Sequence, residues 1–227
     1  MSDDREQRAF AWQVGVWDRM SEVYQREIDR RFAPVVEREI VLAALQPGEQ
    51  VLDLGAGTGA IAERAAPLVA PDGDVTAVDI SREMLVQAAA RLSSLGLRNV
   101  RLLEGRAEAI PVDDGAFDVV IASLSLMYAI DRAASAHEIA RVLRPGGRFI
   151  AAVWGGPEEC DLIKFQQIAG SFAPTPPVPG IGPGSMADTA PFIAQLAEAG
   201  ITAGSGDGRA HFAFAGFSDA SGVFPPV

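Results

Sequence analysis

VLDLGAGTGA, Val51 to Ala60, carries more structural information than any other ten residues of the chain. Val51, Leu52 and Leu54 make a short apolar run, as a strand buried on both faces of a parallel sheet requires. Asp53 interrupts that run, and a carboxylate near the end of a buried strand needs a partner. The chain then bends through Gly55, Gly57 and Gly59, where glycine admits positive φ and lets a ligand approach bare backbone. Helix-compatible residues start at Ala60 and run to Val69. The unit is strand, glycine turn, helix, with a helix N-terminus facing whatever lies over the turn.

Taken alone, Gly55, Gly57 and Ala60 fit a dinucleotide fingerprint or a tight turn with no ligand. Two further features narrow the choice. Asp53 stands two residues before the first glycine, and VTAVDIS, Val75 to Ser81, is a second strand ending in an acid. Asp79 lies at about the spacing at which a carboxylate takes ribose hydroxyls.

The remaining segments alternate in the same way. Val36, Ile40 and Ala44 share one face of a helix over Phe32 to Leu45, stopped by Pro47-Gly48. Ser81 caps a helix whose core face is Leu85, Ala88, Leu92 and Leu95, ended by Gly96. Asn99 to Leu103 reads as a third strand, Phe117 to Ser123 as a fourth, and Arg148 to Trp154, after the Arg144–Gly147 turn, as a fifth. A helix over Asp131 to Leu143 faces inward through Ala136, Ile139 and Leu143, which leaves His137 on the surface. Strands alternating with helices imply a parallel sheet covered on both faces. Ser123, Met127 and Tyr128 follow the fourth strand's C-terminal end, where such sheets bind ligands.

Phe10 to Tyr24 is rich in aromatics ahead of any strand, and fits either a lid or a helix packed on the domain edge. Asp161 to Phe172 is helix-compatible, and APTPPVPGIGPGS after it holds too much proline and glycine for a regular element. Thr189 to Ala199 is a helix with Phe192, Leu196 and Ala199 inward. Ile201 to Ala203 and Phe212 to Phe214 read locally as short strands around the Gly206-Asp207-Gly208 turn.

With 227 residues and 48% hydrophobic content, the chain makes one domain, or one domain with a small lid. A net charge of −11 argues against a nucleic-acid surface and against anionic membranes. One cysteine, Cys160, forms no internal disulfide and no zinc spacing, as suits a cytoplasmic protein. The N-terminus has no apolar signal core, and the run Val119 to Ile130 is too short for a membrane span.

Five segments in order, VLDLGAGTG, VTAVDIS, EGRAEAIP, FDVVIASLSLMY and RVLRPGGRFIAAVW, resemble the class I S-adenosylmethionine-dependent methyltransferases. Within that family the chain is most similar to the small-molecule enzymes related to quinone biosynthesis. The resemblance covers roughly Trp17 to Phe217 and implies a three-layer αβα, Rossmann-like, doubly wound sheet of six or seven strands. It implies an N-terminal helical lid over residues 1–45, a cofactor-binding core over 46–155, a substrate-side insertion over 156–188, and a shortened C-terminal piece over 189–227. The place beside the fifth strand would then be empty or filled by the Phe212–Phe214 segment, and an exposed edge there would invite association into a homodimer.

By the same resemblance S-adenosylmethionine is the cofactor, without a metal. Gly55, Ala56, Gly57, Thr58 and Gly59 pass its amino acid portion, Asp53 lies near the ammonium group, and Asp79 takes the ribose hydroxyls. Ile80 and Met84 pack on adenine, with Ala107, Glu108 and Ser123 completing the cofactor site. Tyr24, Met127 and Tyr128 face a small-molecule acceptor. Where the family usually has an aspartate bonding the adenine amino group, this chain has Arg106, which cannot accept that bond. Glu108 or the Ala107 backbone is the expected substitute. Tyr24, Tyr128, His137, His211, Glu158 and Glu159 could each act as a base by type, and spacing singles out none. Three other functions stay open: a cofactor-binding protein of this fold that runs another reaction such as a cyclisation, a degenerate binding module, and a nicotinamide-dependent dehydrogenase. The last lacks a Tyr-x-x-x-Lys.

Overall fold

The structure, a computed structural model, describes residues 3–172 and 178–206. Five strands form one sheet: β1 (Val51–Leu54), β2 (Val75–Asp79), β3 (Val100–Glu104), β4 (Phe117–Ser123) and β5 (Leu143–Ala152). Every neighbouring pair is parallel, in the order β3-β2-β1-β4-β5. The helices are α1 (Asp3–Val23), α2 (Asp29–Ala43), α3 (Ala60–Val69), α4 (Arg82–Ser94), α5 (Arg132–Val142), α6 (Asp161–Gly170) and α7 (Ala190–Glu198). The chain moves outward from β1 through β2 to β3, then returns to the other side of β1 at β4. That reversal opens a crevice at the C-terminal strand ends.

Alternation along the strands divides the interior into two cores. Val51, Val75, Ala77, Val119 and Ile121 pack with Val36, Ile61, Ala65, Ala88 and Leu92 of α2, α3 and α4. Leu52, Leu54, Val78, Val120 and Ala122 pack with Ala136 and Ile139 of α5 and Phe192 and Leu196 of α7. Asp53, Asp79 and Ser123 continue the first series at the strand tips, by the two-residue period.

The expected six or seven strands are five among the described residues. Ile201–Ala203 is irregular rather than a sixth strand. Ile201 N–H donates to Leu196 O at 2.8 Å, closing the end of α7, and Ile201 and Ala203 pack on the α5–α7 core. Phe212 and Phe214 lie outside the described residues. The Arg144–Gly147 turn sits inside β5 as an excursion. Between the pairs Phe117–Leu143 and Val119–Arg148, β4 advances two residues and β5 five, with Gly146 at φ +83°. Ahead of the sheet, α1 runs into α2 through one π turn, Tyr24–Ile28, and packs across α4.

Candidate functional site

At the topological reversal the C-terminal tips of β1, β2 and β4 surround a cavity of about 110 Å³. Gly55 and Gly57 form its floor, and Asp79, Ile80 and Met84 one wall. Ala107 and Glu108 come from the loop after β3, Ser123 and Tyr128 from the segment leaving β4. Phe10, Gln13, Trp17 and Tyr24 make the roof.

The floor requires glycine. Gly55 has φ +74°, and a Cβ there would stand 2.3 Å from Ser125 Cβ, inside any van der Waals limit. Gly55 and Ala56 N–H both donate to Val78 O (2.8 and 3.0 Å), and Gly59 N–H to Ala56 O. Gly57 N–H donates to Asp79 Oδ2 at 2.7 Å, and Ala62 N–H of α3 to Asp53 Oδ2 at 3.1 Å. These donors are already engaged within the protein. A pyrophosphate cradle needs free N–H groups at this place, so the nicotinamide reading loses its main support.

Asp53 does not line the cavity: it is 1% exposed and turned under the glycine bend toward α3. Burial raises its pKa to about 8, against the pull of the Ala62 N–H and with added repulsion from Glu39 and Asp79. Ala56, Thr58 and Gly59 also stand outside the lining. Thr58 Oγ1 donates to Asp29 Oδ2 at 2.5 Å, and Gly59 faces Ala88 of α4.

Asp79 is the strand-tip carboxylate that reaches the cavity. Oδ2 accepts from Gly57 and Oδ1 from Ser81 N–H at 2.8 Å, which leaves each oxygen capacity for another donor. Burial raises its pKa to about 6, while the Ser81, Gly57 and Ile80 N–H groups hold it down. Ser81 caps α4 by accepting from Met84 N–H at 3.1 Å, and donates its hydroxyl to Asp18 of α1 at 2.6 Å. One residue therefore joins wall to roof.

Arg106 places its guanidinium 4.3 Å from the Phe10 ring centroid and 3.8 Å from Glu6. Glu108 lines the cavity, but its Oε1 accepts from Ile130 N–H at 2.7 Å and Asp131 N–H at 3.3 Å, so it holds the start of α5. Under the roof, Trp17 meets Tyr128 edge-on at 4.9 Å and Tyr24 at 6.0 Å. Burial pushes both phenols above their ordinary range, and nearby Asp29 adds to the effect on Tyr24. Met127 does not line the cavity: its side chain is fully buried in the α5–α7 core. Its carbonyl accepts from Gly182 N–H at 2.9 Å, which with Arg132 and Ser185 fastens the described part of the insertion behind Tyr128. His137 is exposed on α5, and His211 lies outside the described residues.

Gln13, Asp18, Ser125 and Glu39 are among the contributors that the sequence did not single out. Gln13 Nε2 donates to Tyr128 O at 2.9 Å, and Ser125 Oγ to Leu54 O at 2.7 Å. Glu39 is buried on the apolar face of α2. Its spacing from Val36 and Ala43, three and four residues, was the signal that could have found it.

A family model described as a methyltransferase domain matches residues 45–167, more than half of the chain and the whole of the sheet. The chain belongs to the class I S-adenosylmethionine-dependent methyltransferases. Among curated relatives of this methyltransferase, nocamycin O-methyltransferase of Saccharothrix syringae is 36% identical over 80% of the chain and 63% of the relative. The ubiquinone/menaquinone biosynthesis C-methyltransferase of Ectopseudomonas mendocina is 34% identical over 60% of the chain and 54% of the relative. The chain thus spans less than two thirds of either relative's length. A SAM-dependent methyltransferase from Aquifex aeolicus shares the fold, with TM-score 0.64 and 24% identity over 82% of this chain and 89% of that one. Among the described residues no helix is long and apolar enough to cross a membrane. None of their His, Cys, Asp and Glu side chains form a group of three or more that could hold a metal ion.

Proposed function

We propose that this methyltransferase moves a methyl group from S-adenosylmethionine to a small-molecule acceptor. The observation that carries the reading is Asp79: a buried carboxylate, fixed by two backbone N–H groups, with acceptor capacity left in a cavity floored by bare glycine backbone. A nucleoside with two ribose hydroxyls matches that capacity. Ile80, Met84 and Ala107 supply apolar walls for a purine, and Gly55 and Gly57 leave room for an amino acid end. Asp53 serves from beneath, by holding Ala62 and with it the start of α3.

The cofactor, when bound, supplies a methyl group already activated on a sulfonium. What remains for the chain is to bind, align and exclude water, and such positioning can lower a barrier by roughly 7–11 kcal/mol. Tyr24, Tyr128 and Trp17 shape the acceptor end. At about 110 Å³ the cavity is below the roughly 300 Å³ at which ligand pockets begin. We therefore assign α1 the part of a lid that must lift for entry. The relatives named for O- and C-methylation support a small-molecule acceptor without selecting the atom.

Calorimetry of the intact protein with S-adenosylmethionine and S-adenosylhomocysteine tests the reading. Saturable binding of both, with no binding of NADH, is the expected result. Absence of binding to either sulfur nucleoside would remove it. Release of S-adenosylhomocysteine in the presence of candidate acceptors then separates transfer from mere binding.

A further inference from the structure

A buried carboxylate with no strong hydrogen bond stands behind the cavity. Glu39 is 3% exposed, between Val36 and Ala43 on the inner face of α2. That helix packs on β4 and β5. The carboxylate lies against Ser123 at the tip of β4 and the backbone of Ala152 at the tip of β5. The Ser123 hydroxyl and the Ala152 N–H are the donors nearest to it, and neither reaches full hydrogen-bond geometry. Burying a carboxylate unpartnered is expensive, and a leucine there would complete the apolar face, so packing does not explain Glu39.

The surrounding charges offer Glu39 no relief. Asp53 on β1 is a second acid, and each carboxylate disfavours ionisation of the other. Arg148 of β5 pairs with Glu49 and bonds the last carbonyls of α2. Arg64 of α3 pairs with Glu37, and Arg31 in the first turn of α2 pairs with Glu27 in the π turn. Asp29 is held by Thr58 and Arg91.

Among the described lining residues, no carboxylate is left over for an acceptor's proton once Asp79 holds the ribose hydroxyls of the proposed cofactor. Its titratable lining residues, among those described, are Tyr24, Asp79, Arg106, Glu108 and Tyr128. Both phenols are raised and stay protonated. The Arg106 guanidinium offers only donors. Glu108 is engaged by two N–H groups, and Asp79 holds the glycine turn and Ser81. Ser123 lines the cavity with Glu39 at its back.

We propose that Glu39, acting through the Ser123 hydroxyl, takes up the proton of a hydroxyl-bearing acceptor during methyl transfer. The proposal rests on the methyl-transfer reading and deepens it by naming the acceptor class. As the acceptor oxygen bonds the methyl carbon, its O–H bond breaks and that proton passes to the Ser123 oxygen. The Ser123 proton passes to Glu39, and the sulfonium sulfur keeps the electron pair of the broken carbon–sulfur bond. Glu39 returns the proton to water as the products leave. Burial raises Glu39 to about 7, so it can accept and release a proton near neutrality.

An infrared titration of protein labelled with ¹³C at glutamate carboxyls reads Glu39 directly, without acceptor or cofactor. A band titrating near pH 7 should vanish in Glu39→Gln. In Ser123→Ala its midpoint should rise by half a pH unit or more, because the carboxylate loses its nearest hydroxyl. A midpoint unmoved by Ser123→Ala overturns the relay. A second arm compares two probe acceptors at about pH 9, 4-methylphenol and the already ionised 4-nitrophenol. Glu39→Gln should slow transfer to the first at least thirtyfold and to the second less than threefold. Equal losses on both would mark Glu39 as structural. Failure of cofactor binding in calorimetry defeats the methyl-transfer reading alone and leaves the infrared result standing.

Discussion

The floor and the roof of the cavity are built on different physics. The floor is backbone: a glycine bend at the end of β1, whose N–H groups are engaged by Val78 O and by the Asp79 carboxylate. The roof is a helix held by a few side chains. Gln13 bonds Tyr128 O, Asp18 bonds Ser81, Trp17 leans edge-on against Tyr128, and Arg106 lies over Phe10. The Val78 contacts continue the pairing of β1 with β2 and are fixed with the buried sheet. Each roof contact is worth about 1 kcal/mol, as a single hydrogen bond or aromatic edge contact generally is. A structure built this way can hold one ligand surface fixed while the other swings.

The sharpest test is to remove the floor's carboxylate. Asp79→Ala abolishes two acceptors for Gly57 and Ser81 N–H and the proposed ribose contact together. At about 1.5–3 kcal/mol for a hydrogen bond to a charged group, the loss should weaken S-adenosylhomocysteine binding about 100-fold. Calorimetry measures it directly. A change of less than about fivefold would mean that the nucleoside does not bind at Asp79.

The roof should respond in rates rather than affinity alone. Trp17→Ala removes the edge contacts to Tyr128 and Tyr24 and loosens α1 where it covers the cavity. Stopped-flow fluorescence of the remaining tryptophans should show cofactor dissociating about tenfold faster. If dissociation is unchanged while Asp79→Ala has its full effect, α1 is a fixed wall and the lid assignment falls.

This same division explains what the sequence could and could not show. The floor was legible because its causes are local. Val51 to Ala60 contains its own strand, its own glycines and its own helix start, and Ser81 announced the cap it makes to Met84. Asp53 was legible as a buried acid but not in its direction. One strand position sent it under the turn to Ala62, whereas the resemblance placed it near a ligand's ammonium group. The roof depends on contacts between residues far apart in the chain, such as Gln13 with Tyr128 and Asp18 with Ser81, and no local pattern encodes those. Met127 looked like a ligand contact because it follows β4, yet the 3₁₀ turn Leu126–Tyr128 points it into the core.

Asp53 also allows a test that touches the floor from below. Its pKa is raised to about 8 in the folded protein, against about 3.9 in an unfolded chain. Between those values the folded protein holds a proton that the unfolded chain releases. The corresponding stability is therefore full below about pH 4 and is lost as pH rises through 8. Glu39 and Asp79 have the same sign, with folded values of about 7 and 6. Thermal unfolding of the native protein should fall as pH is raised from 5 to 8.5. In Asp53→Asn, which cannot titrate, the fall should be smaller by several degrees, since each kcal/mol is about 2–4 °C for a chain of this size. Parallel curves for the two proteins would show that Asp53 is already ionised when folded.

The smallest effect belongs to the contact that departs most from the family pattern. Arg106 is 42% exposed and its partner Glu6 36%, at 3.8 Å, so solvent screens the pair and it contributes roughly 0–1 kcal/mol. Stacking of the guanidinium on Phe10 adds about 0.5–1 kcal/mol at such an exposed place. Together these tether the outer end of α1 to the loop after β3, beyond the tethers at Gln13 and Asp18. Arg106→Ala should therefore speed cofactor dissociation only about two- to fivefold, an effect reduced further in high salt where the ion pair is already screened. Phe10→Ala should match it without the salt dependence. If Arg106→Ala instead slows dissociation or tightens binding, the guanidinium is repelling the ligand rather than fastening the roof, and the loop after β3 belongs to the floor.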